Sequence, residues 1–459
     1  MKIAFIHPDL GIGGAERLVV DAAVGLQDLK HDITIYTSHC DKSHCFEEVS
    51  SDQLKVTVYG DFLPTQIMGK FHILFAILRQ LVLVVMLIFT GEAYEYDYFI
   101  IDQLSFCIPI LCIFTKGKIL FYCHFPDQLL SIPSGLIKKL YRIPFNAVEE
   151  YTTSLSDKLI VNSNFTKSIF HKTFTSIKTD PNVIYPCVDI DQGIIETKED
   201  EEADKEVKEF MKDNKFFISI NRFERKKNIE LAIKSYGKFK AYLESNNEPV
   251  PKLVVAGGFD SRVPENVQYL QELEKLSESL SLKHYTIRSR LIVMPPTSDI
   301  IFLPSIKSSI KKALIKQSDL LFYTPSNEHF GIVPVESMLF KTPVIAPNNG
   351  GPLESISNYT TNKSMATGFN VPPTEEQWFE TLKQFHHLSD NEKTALGENG
   401  FKLVLKKFSR QQMAQEFWNN LQQASYTDKG IIVSILRKVS WLTVLGFFTI
   451  LVALVWQFK

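Results

Sequence analysis

Short apolar runs alternate with stretches of helical period along most of this chain. Lys2–His7, Asp32–Thr37, Tyr98–Ile101, Lys118–His124 and Lys158–Asn162 have the pattern of buried strands, and Glu16–Gln27 that of a helix joining the first two. A second series follows at Phe216–Ile220, Leu253–Ala256, Leu291–Met294, Leu320–Tyr323 and Val344–Ala346. Strands that alternate with helices predict parallel sheets covered on both faces, so each series is expected to form its own doubly wound α/β domain. The acidic run Glu196–Asp204 interrupts the pattern, and it is expected to be an exposed excursion between the domains. The boundaries that follow are a first domain over 1–195, an acidic junction over 196–212 and a second domain over 213–405. The span 406–428 contains the helical segment Gln411–Gln423, which is expected to return to the first domain.

Two apolar segments bear on location. Val439–Trp456 carries no charge over 18 residues, with Arg437 and Lys438 before it and Lys459 after it. That length just reaches a bilayer span, so 431–459 is expected to be a membrane anchor, with a helix lying in the interface as the alternative. Phe71–Thr90 is also apolar but has Arg79 and Gln80 at its centre. A helix partly sunk in the membrane interface is the favoured expectation there, ahead of a core helix, with a crossing last. Met1 opens directly onto a core strand, so no cleavable signal peptide is expected.

Composition changes this picture little. At 459 residues the chain exceeds what one core usually supports, and 45% apolar residues can fill two. A formal charge of −2 offers no electrostatic case for nucleic acid. The six cysteines are expected to be reduced, Cys107, Cys112 and Cys123 lying in apolar surroundings. His39, Cys40, His44 and Cys45 could bind a metal, but no second ligand pair follows at a usual spacing, so none is expected. Asn164, Asn358 and Asn362 are sequons, which matter only if their domains face a lumen.

The chemistry concentrates late in the chain. Glu328 and Glu336 are carboxylates separated by seven residues, across a turn that enters a helix with Pro334 in its first turn. If the whole span were helical they would lie about 12 Å apart, roughly a hexose-to-ribose distance. Carboxylates accept hydrogen bonds from sugar hydroxyls, and the free N–H groups of a helix start suit a diphosphate between them. Taken alone, the same pattern fits acids placed at a helix N-terminus for its dipole. Arg222 and Lys227, in a basic loop about a hundred residues upstream, add fixed positive charge: a planar fork and a point charge, both suited to phosphate. The pairing of that loop with the two carboxylates points to a nucleotide-sugar site.

Gly11, Gly13 and Gly14 follow the first strand and precede a helix. The spacing is not Gly-x-Gly-x-x-Gly, and Ser38 and His39 stand where a dinucleotide fold would place its acidic residue. Gly13 and Gly14 either let backbone approach donor phosphates or make a tight structural turn. His124 ends a strand at the edge where doubly wound sheets place ligands, although a lone histidine there is more often structural.

These residues together resemble the retaining GT-B glycosyltransferases, the group that includes glycogen and sucrose synthases. The resemblance rests on Arg222 and Lys227, on Glu328 and Glu336, on the Gly13-Gly14 loop and on Val254–Gly258, and it covers most of the chain. The opening Lys2–Arg17 and the stretch Tyr122–Asp127 are similar to the endoplasmic-reticulum mannosyltransferases that add the second and third mannoses to dolichol-linked precursors of asparagine-linked glycans. The resemblance implies two Rossmann-like domains facing a cleft and a GDP-mannose donor. It also implies a dolichol-diphosphate oligosaccharide acceptor and a site on the cytosolic face of the endoplasmic-reticulum membrane, among lipid and other enzymes of the pathway. Arg222 and Lys227 would then stabilise the leaving diphosphate, Glu328 hold the mannose, Glu336 the ribose and His124 the transferred sugar. Gly13, Gly14, Gly257, Phe330, Gly331 and Ile332 would line the donor. The scheme calls for no cofactor and no metal, because the two basic residues take the metal's role. Another membrane-associated GT-B transferase with a different donor or lipid acceptor shares the generic motifs. A nicotinamide-dependent membrane oxidoreductase leaves the basic loop and paired carboxylates unexplained, and their presence argues against a catalytically inactive scaffold.

Overall fold

The computed structural model describes the chain except residues 68–69, 131–135, 191–193, 195, 213, 289, 292, 428, 430–432, 434–445, 447–448 and 450–459. It divides into two units: 1–162 with 166–184 and 413–459, and 163–165 with 185–412.

The first unit contains β1 (Lys2–His7), β2 (Asp32–Thr37), β3 (Lys55–Val58), β4 (Tyr98–Asp102), β5 (Lys118–Cys123), β6 (Lys158–Val161) and β7 (Asn182–Val183). All pair in parallel in the order β3-β2-β1-β4-β5-β6-β7. The order reverses between β1 and β4, which opens a crevice at their carboxyl ends. The helix Gly14–Asp28 follows β1 and buries Leu18 to Leu26. After the second unit the chain returns: Phe417 stacks on Tyr122 with ring centroids 5.7 Å apart, and Trp418 meets His31 and Tyr98. Tyr426 and Lys429 then tie down to the Lys116 and Leu155 carbonyls, and Val433 is buried in the first unit's core.

In the helix His72–Phe89, Ile77, Val82 to Val85, Leu87 and Ile88 are buried inside the first unit, so one face is core. Its central polar pair is explained by that packing. Arg79 Nη2 donates to the Ser38 carbonyl and to Asp61, both at 3.1 Å, and Gln80 Nε2 donates to the Leu104 carbonyl at 2.7 Å. Buried polar groups are held where they find such partners. Phe71 and Phe89 at the helix ends remain exposed. Val439–Trp456 lies almost wholly outside the described residues.

The second unit holds β8 (Phe216–Ile220), β9 (Lys252–Gly257), β10 (His284–Thr286), β11 (Ile300–Pro304), β12 (Leu320–Phe322), β13 (Val344–Pro347) and β14 (Gly368–Val371), ordered β10-β11-β9-β8-β12-β13-β14. This sheet is also parallel and reverses between β8 and β12. In β8 the alternation sends Phe216, Ile218 and Ile220 to one core and Phe217 to the other.

Two expectations fail here for identifiable reasons. Of the expected strand Leu291–Met294, the described residues Leu291, Val293 and Met294 lie in no strand. Leu291 and Met294 are buried as a loop on one core, and the run Ile300–Pro304 takes the strand position beside β9. Most of the acidic run is exposed, but it is not an excursion from the fold. It is part of the helix Lys198–Met211, closed by a capping box between Thr197 and Asp200. That helix buries Ala203, Val207, Phe210 and Met211 and lays its acids against the helix Ser308–Gln317, where Lys316 meets Asp204 at 2.6 Å and Lys312 meets Asp200 at 3.4 Å. Ala203 opens an apolar stripe that Val207, Phe210 and Met211 continue at helical spacing, and the opposing lysines offset the charge.

Candidate active site

The sheet of the second unit delivers its functional side chains at the switch point between β8 and β12. Asn221 and Arg222 leave β8, and Tyr323 and Thr324 leave β12. The basic loop folds as a short 3₁₀ turn, Arg225–Lys227, closed by Asn228 in the left-handed region. Its shape is fixed from behind. Asn221 N–H donates to the Ala256 carbonyl and Phe223 N–H to the Gly258 carbonyl, both at 3.0 Å, and Thr324 Oγ1 donates to the Lys227 carbonyl at 2.7 Å. Gly257 has φ 147°, and a Cβ there would stand 2.0 Å from the Asn221 carbonyl oxygen. Its described role is therefore to let β9 approach the loop.

Lys227 Nζ lies 2.6 Å from Glu328 Oε1, so the lysine and the first carboxylate form a charge-assisted pair in a partly buried setting. Arg222 is largely exposed, and among the described residues it reaches only toward Glu224, at 3.9 Å. Its guanidinium is free for a ligand. Glu336 is held by Lys311, whose Nζ lies 2.8 and 2.9 Å from the two carboxylate oxygens.

The helix that carries Glu336 begins at Ile332, so the residues from Glu328 to Gly331 are not helical and the 12 Å spacing applies to no continuous helix. Gly331, at φ 81°, is its N-cap, and no side chain caps it. A Cβ at Gly331 would stand 2.8 Å from the Tyr323 hydroxyl. The Phe330 ring is buried against Tyr185 and Phe408, leaving its backbone as the part suited to a ligand. The Tyr323 hydroxyl is driven up from its ordinary range by burial and then by the carboxylates of Glu328 and Glu336.

Sequence reasoning missed the turn Asn349-Gly350-Gly351 that backs this loop. Gly351 N–H donates to the Glu328 carbonyl at 2.8 Å, and Asn349 Oδ1 accepts from the Asn327 N–H at 2.7 Å. A Cβ at Gly351 would stand 2.2 Å from Phe330 Cα. The Asn-Gly-Gly-Pro punctuation after β13 was the available signal. Lys311 left no such signal, being one lysine among several on its helix.

In the first unit Gly13 is extended, at φ −163°, and caps the helix Gly14–Asp28. A Cβ at Gly13 would meet the Glu16 carboxylate at 2.2 Å, whereas one at Gly14 would meet nothing within 4 Å. His124 stands at the end of β5 and its Nε2 lies 3.0 Å from Asp102 Oδ2. Asp102 ends β4 and also meets His7, at the end of β1. Neither His7 nor Asp102 was singled out beforehand, although a polar residue closing an apolar strand at the switch point is a usable signal. Just beyond His124, Glu149 accepts from the N–H groups of Asp127 and Gln128 at 2.7 and 3.2 Å. Burial, and then the neighbouring Asp127 carboxylate, push the Glu149 carboxyl up to about 7.

All six cysteines are free, and His39 pairs with Asp61 at 2.8 Å. Among the described residues no three potential metal-ligating side chains gather.

Comparison with known proteins agrees with the two halves of the chain. Residues 12–192 match the family described as Glycosyltransferase Family 4, and residues 200–403 match Glycosyl transferases group 1. The chain is 62% identical to the alpha-1,3/1,6-mannosyltransferase ALG2 of Debaryomyces hansenii over 95% of this chain and 94% of that protein. It is 57% identical to the enzyme of the same name from Candida albicans, over 92% of this chain and 98% of the other. Among solved structures, a glycosyltransferase from Rickettsia africae ESF-5 superposes with a TM-score of 0.68 at 18% identity, covering 92% of this chain and 98% of its own, a likeness of fold.

Proposed function

Because the chain belongs to the alpha-1,3/1,6-mannosyltransferases, glycosyltransferases of group 1 with the GT-B fold, we propose that it transfers mannose from GDP-mannose to a dolichol-diphosphate-linked oligosaccharide. The reaction adds an α1,3 and then an α1,6 mannose to Man-GlcNAc2-PP-dolichol, with retention, in the assembly of asparagine-linked glycan precursors.

The observation that carries this reading is the Lys227–Glu328 pair, 2.6 Å apart at the switch point of the second sheet and beside an uncapped helix start. An isolated acid at a helix N-terminus needs no lysine, and a phosphate site needs no acid. The two together suit a sugar joined to a diphosphate. In this scheme Lys227 and Arg222 stabilise the charge that grows on the leaving diphosphate, and the N–H groups of Phe330, Gly331 and Ile332 add donors. Glu328 accepts from the mannose hydroxyls while Lys227 holds it in place. Glu336, steadied by Lys311, retains lone pairs for the ribose. His124 contacts the transferred sugar. The leaving phosphate oxygen takes the proton of the acceptor hydroxyl on the face from which it departs, which preserves the anomeric configuration.

A lipid-linked acceptor calls for membrane contact at the cytosolic face of the endoplasmic reticulum. Leu129, Leu130, Leu140 and Ile143 are exposed apolar side chains of the first unit, and Tyr141 among them meets Phe71 with ring centroids 5.9 Å apart. A cluster of this kind is suited to a lipid surface. The deciding experiment incubates the membrane-bound full chain with radiolabelled GDP-mannose, UDP-glucose or UDP-N-acetylglucosamine and a short-chain dolichol-linked Man-GlcNAc2 acceptor. Label entering the lipid extract from GDP-mannose alone is expected, and incorporation from a UDP-sugar instead would overturn the donor assignment.

A further inference from the structure

Three residues from three strands meet at the carboxyl edge of the first sheet: His7 from β1, Asp102 from β4 and His124 beyond β5. His7 is buried, with Nδ1 2.8 and 3.0 Å from the two Asp102 oxygens and Nε2 3.0 Å from the Asp9 carbonyl oxygen. A carboxylate and a carbonyl can only accept, so both ring nitrogens of His7 carry hydrogen and the ring is a cation. Asp102, also buried, is the matching anion. Burial alone would raise the Asp102 carboxyl, but His7 and then His124 outweigh it and hold it below its ordinary range. His7 is shifted upward in the complementary sense, Asp102 overcoming the effect of burial.

The second Asp102 oxygen accepts from His124 Nε2 at 3.0 Å. That contact places a hydrogen on Nε2. With Nε2 committed as a donor to Asp102, Nδ1 is the ring nitrogen left to accept. A further charged group among the described residues, Glu16, lies 3.9 Å from His7 Nε2, on the side of that ring away from Asp102. Tyr122 packs on the His124 ring, with centroids 4.8 Å apart, but its hydroxyl is spent on the Ile184 carbonyl. The His124 side chain keeps 18% of its surface exposed, and Nδ1 has no hydrogen-bond partner among the described residues.

We propose that His7 and Asp102 are positioning residues that lock His124 in its Nε2–H tautomer, so that Nδ1 is presented as an acceptor for a hydroxyl of the transferred sugar. This rests on the contact between His124 and the sugar proposed above. The device makes His124 an acceptor and withholds it from phosphate, which needs donors.

The test is a double-mutant cycle on the membrane-bound full chain, with GDP-mannose and a short-chain dolichol-linked acceptor. In Asp102→Asn the amide oxygen faces His7 and the amide N–H₂ faces His124 Nε2, which reverses the tautomer without changing volume. Turnover should fall at least ~10-fold, with the donor KM changed less than about threefold, as expected when a correctly oriented partner is lost. His124→Asn sets a carbonyl oxygen near the Nδ1 position and has no ring to reverse, so in that background Asp102→Asn should cost less than about threefold. An equal loss in both backgrounds would make Asp102 a structural residue and overturn the proposal. His7→Gln gives an independent reading if Asp102→Asn is poorly recovered. Removing the balancing cation should move the acid limb of turnover to higher pH; an unmoved limb counts against the proposal. His124→Ala separates the layers: turnover within twofold of the natural chain would remove the sugar contact itself, whereas a large loss together with an additive cycle would leave the contact standing and the positioning role disproved.

Discussion

Lys227 and Arg222 differ in how they are held, and the difference shapes what their removal should do. Lys227 is fixed by Glu328, whereas Arg222 is exposed and among the described residues meets only Glu224, at 3.9 Å. Each alanine variant is expected to lower turnover by at least ~100-fold at saturating GDP-mannose, the usual cost of losing one preorganised transition-state partner. Donor affinity should suffer less in Arg222→Ala than in Lys227→Ala, because only the latter also releases a carboxylate. Steady-state rates with the short-chain acceptor decide this, and near-normal turnover in either variant would dismiss that residue. Glu149 supports a prediction about pH. Its carboxyl sits at about 7 in the fold against an ordinary 4.5, so the folded state binds a proton that the unfolded chain has already released. The associated stability is present below about pH 4.5 and is lost as pH rises toward 7. Relative to Glu149→Gln, the natural chain should therefore lose stability between pH 5 and pH 8, by roughly 3 kcal/mol at most at ~1.4 kcal/mol per unit. Denaturant melts at the two pH values measure it; a pH-independent difference would show that Glu149 is not the titrating group.

At the scale of elements, the acidic helix Lys198–Met211 shows how a charged run can still be a packed one. Four of its residues are buried, and its acids find lysines on the helix Ser308–Gln317. Exposed pairs of this kind contribute little, so the apolar stripe must carry the docking. Phe210→Ala is expected to cost about 3–5 kcal/mol, whereas Lys316→Ala should cost under ~1 kcal/mol. Chemical unfolding of both variants checks the contrast, and a larger cost for the lysine would reverse the assignment. The helix His72–Phe89 makes the complementary point. Its composition fits a membrane span, but Arg79 and Gln80 reach backbone carbonyls inside the first unit and commit that face to the core.

For the molecule as a whole, the C-terminal chain has a packed part and a part that follows it. Tyr426, Lys429 and Val433 are fastened to the first unit, Lys429 meeting Asp157 at 2.6 Å. A chain ending at Lys438 is expected to keep the melting temperature of the first unit while losing membrane attachment. One ending at Gln423 should melt at least ~5 °C lower, since it uncovers Val433's site and strands the buried Asp157. Flotation with membranes and thermal unfolding separate the two effects; equal melting temperatures would mean that the strap is ornamental. Both units should also face the cytosol. Cysteines placed at the exposed Lys42 and Glu201 should both label from the cytosolic side of sealed membranes, and Asn164, Asn358 and Asn362 should carry no glycan. Asn358 already spends its side chain on the Asn370 backbone, donating at 3.1 Å and accepting at 3.2 Å. Protection of one cysteine alone would refute this orientation.

The sequence by itself determined the period of each element, and with it the two parallel sheets, because burial on both faces leaves near-continuous apolar runs such as Phe216–Ile220 and Leu320–Phe322. It also held the chemistry that is local in the chain: a basic loop after one strand, and two carboxylates with a glycine and a proline between them. Strand order is not local. Which runs become neighbours is settled by crossovers and by competition for positions in the sheet, as when Ile300–Pro304 takes the place beside β9. The meeting of Lys227 with Glu328, of Glu336 with Lys311, and of His7, Asp102 and His124 likewise depends on which strand ends the switch points gather. Side chains separated by 25 to 101 positions carry no signature of contact in one sequence, since only the tertiary fold brings them within hydrogen-bonding distance.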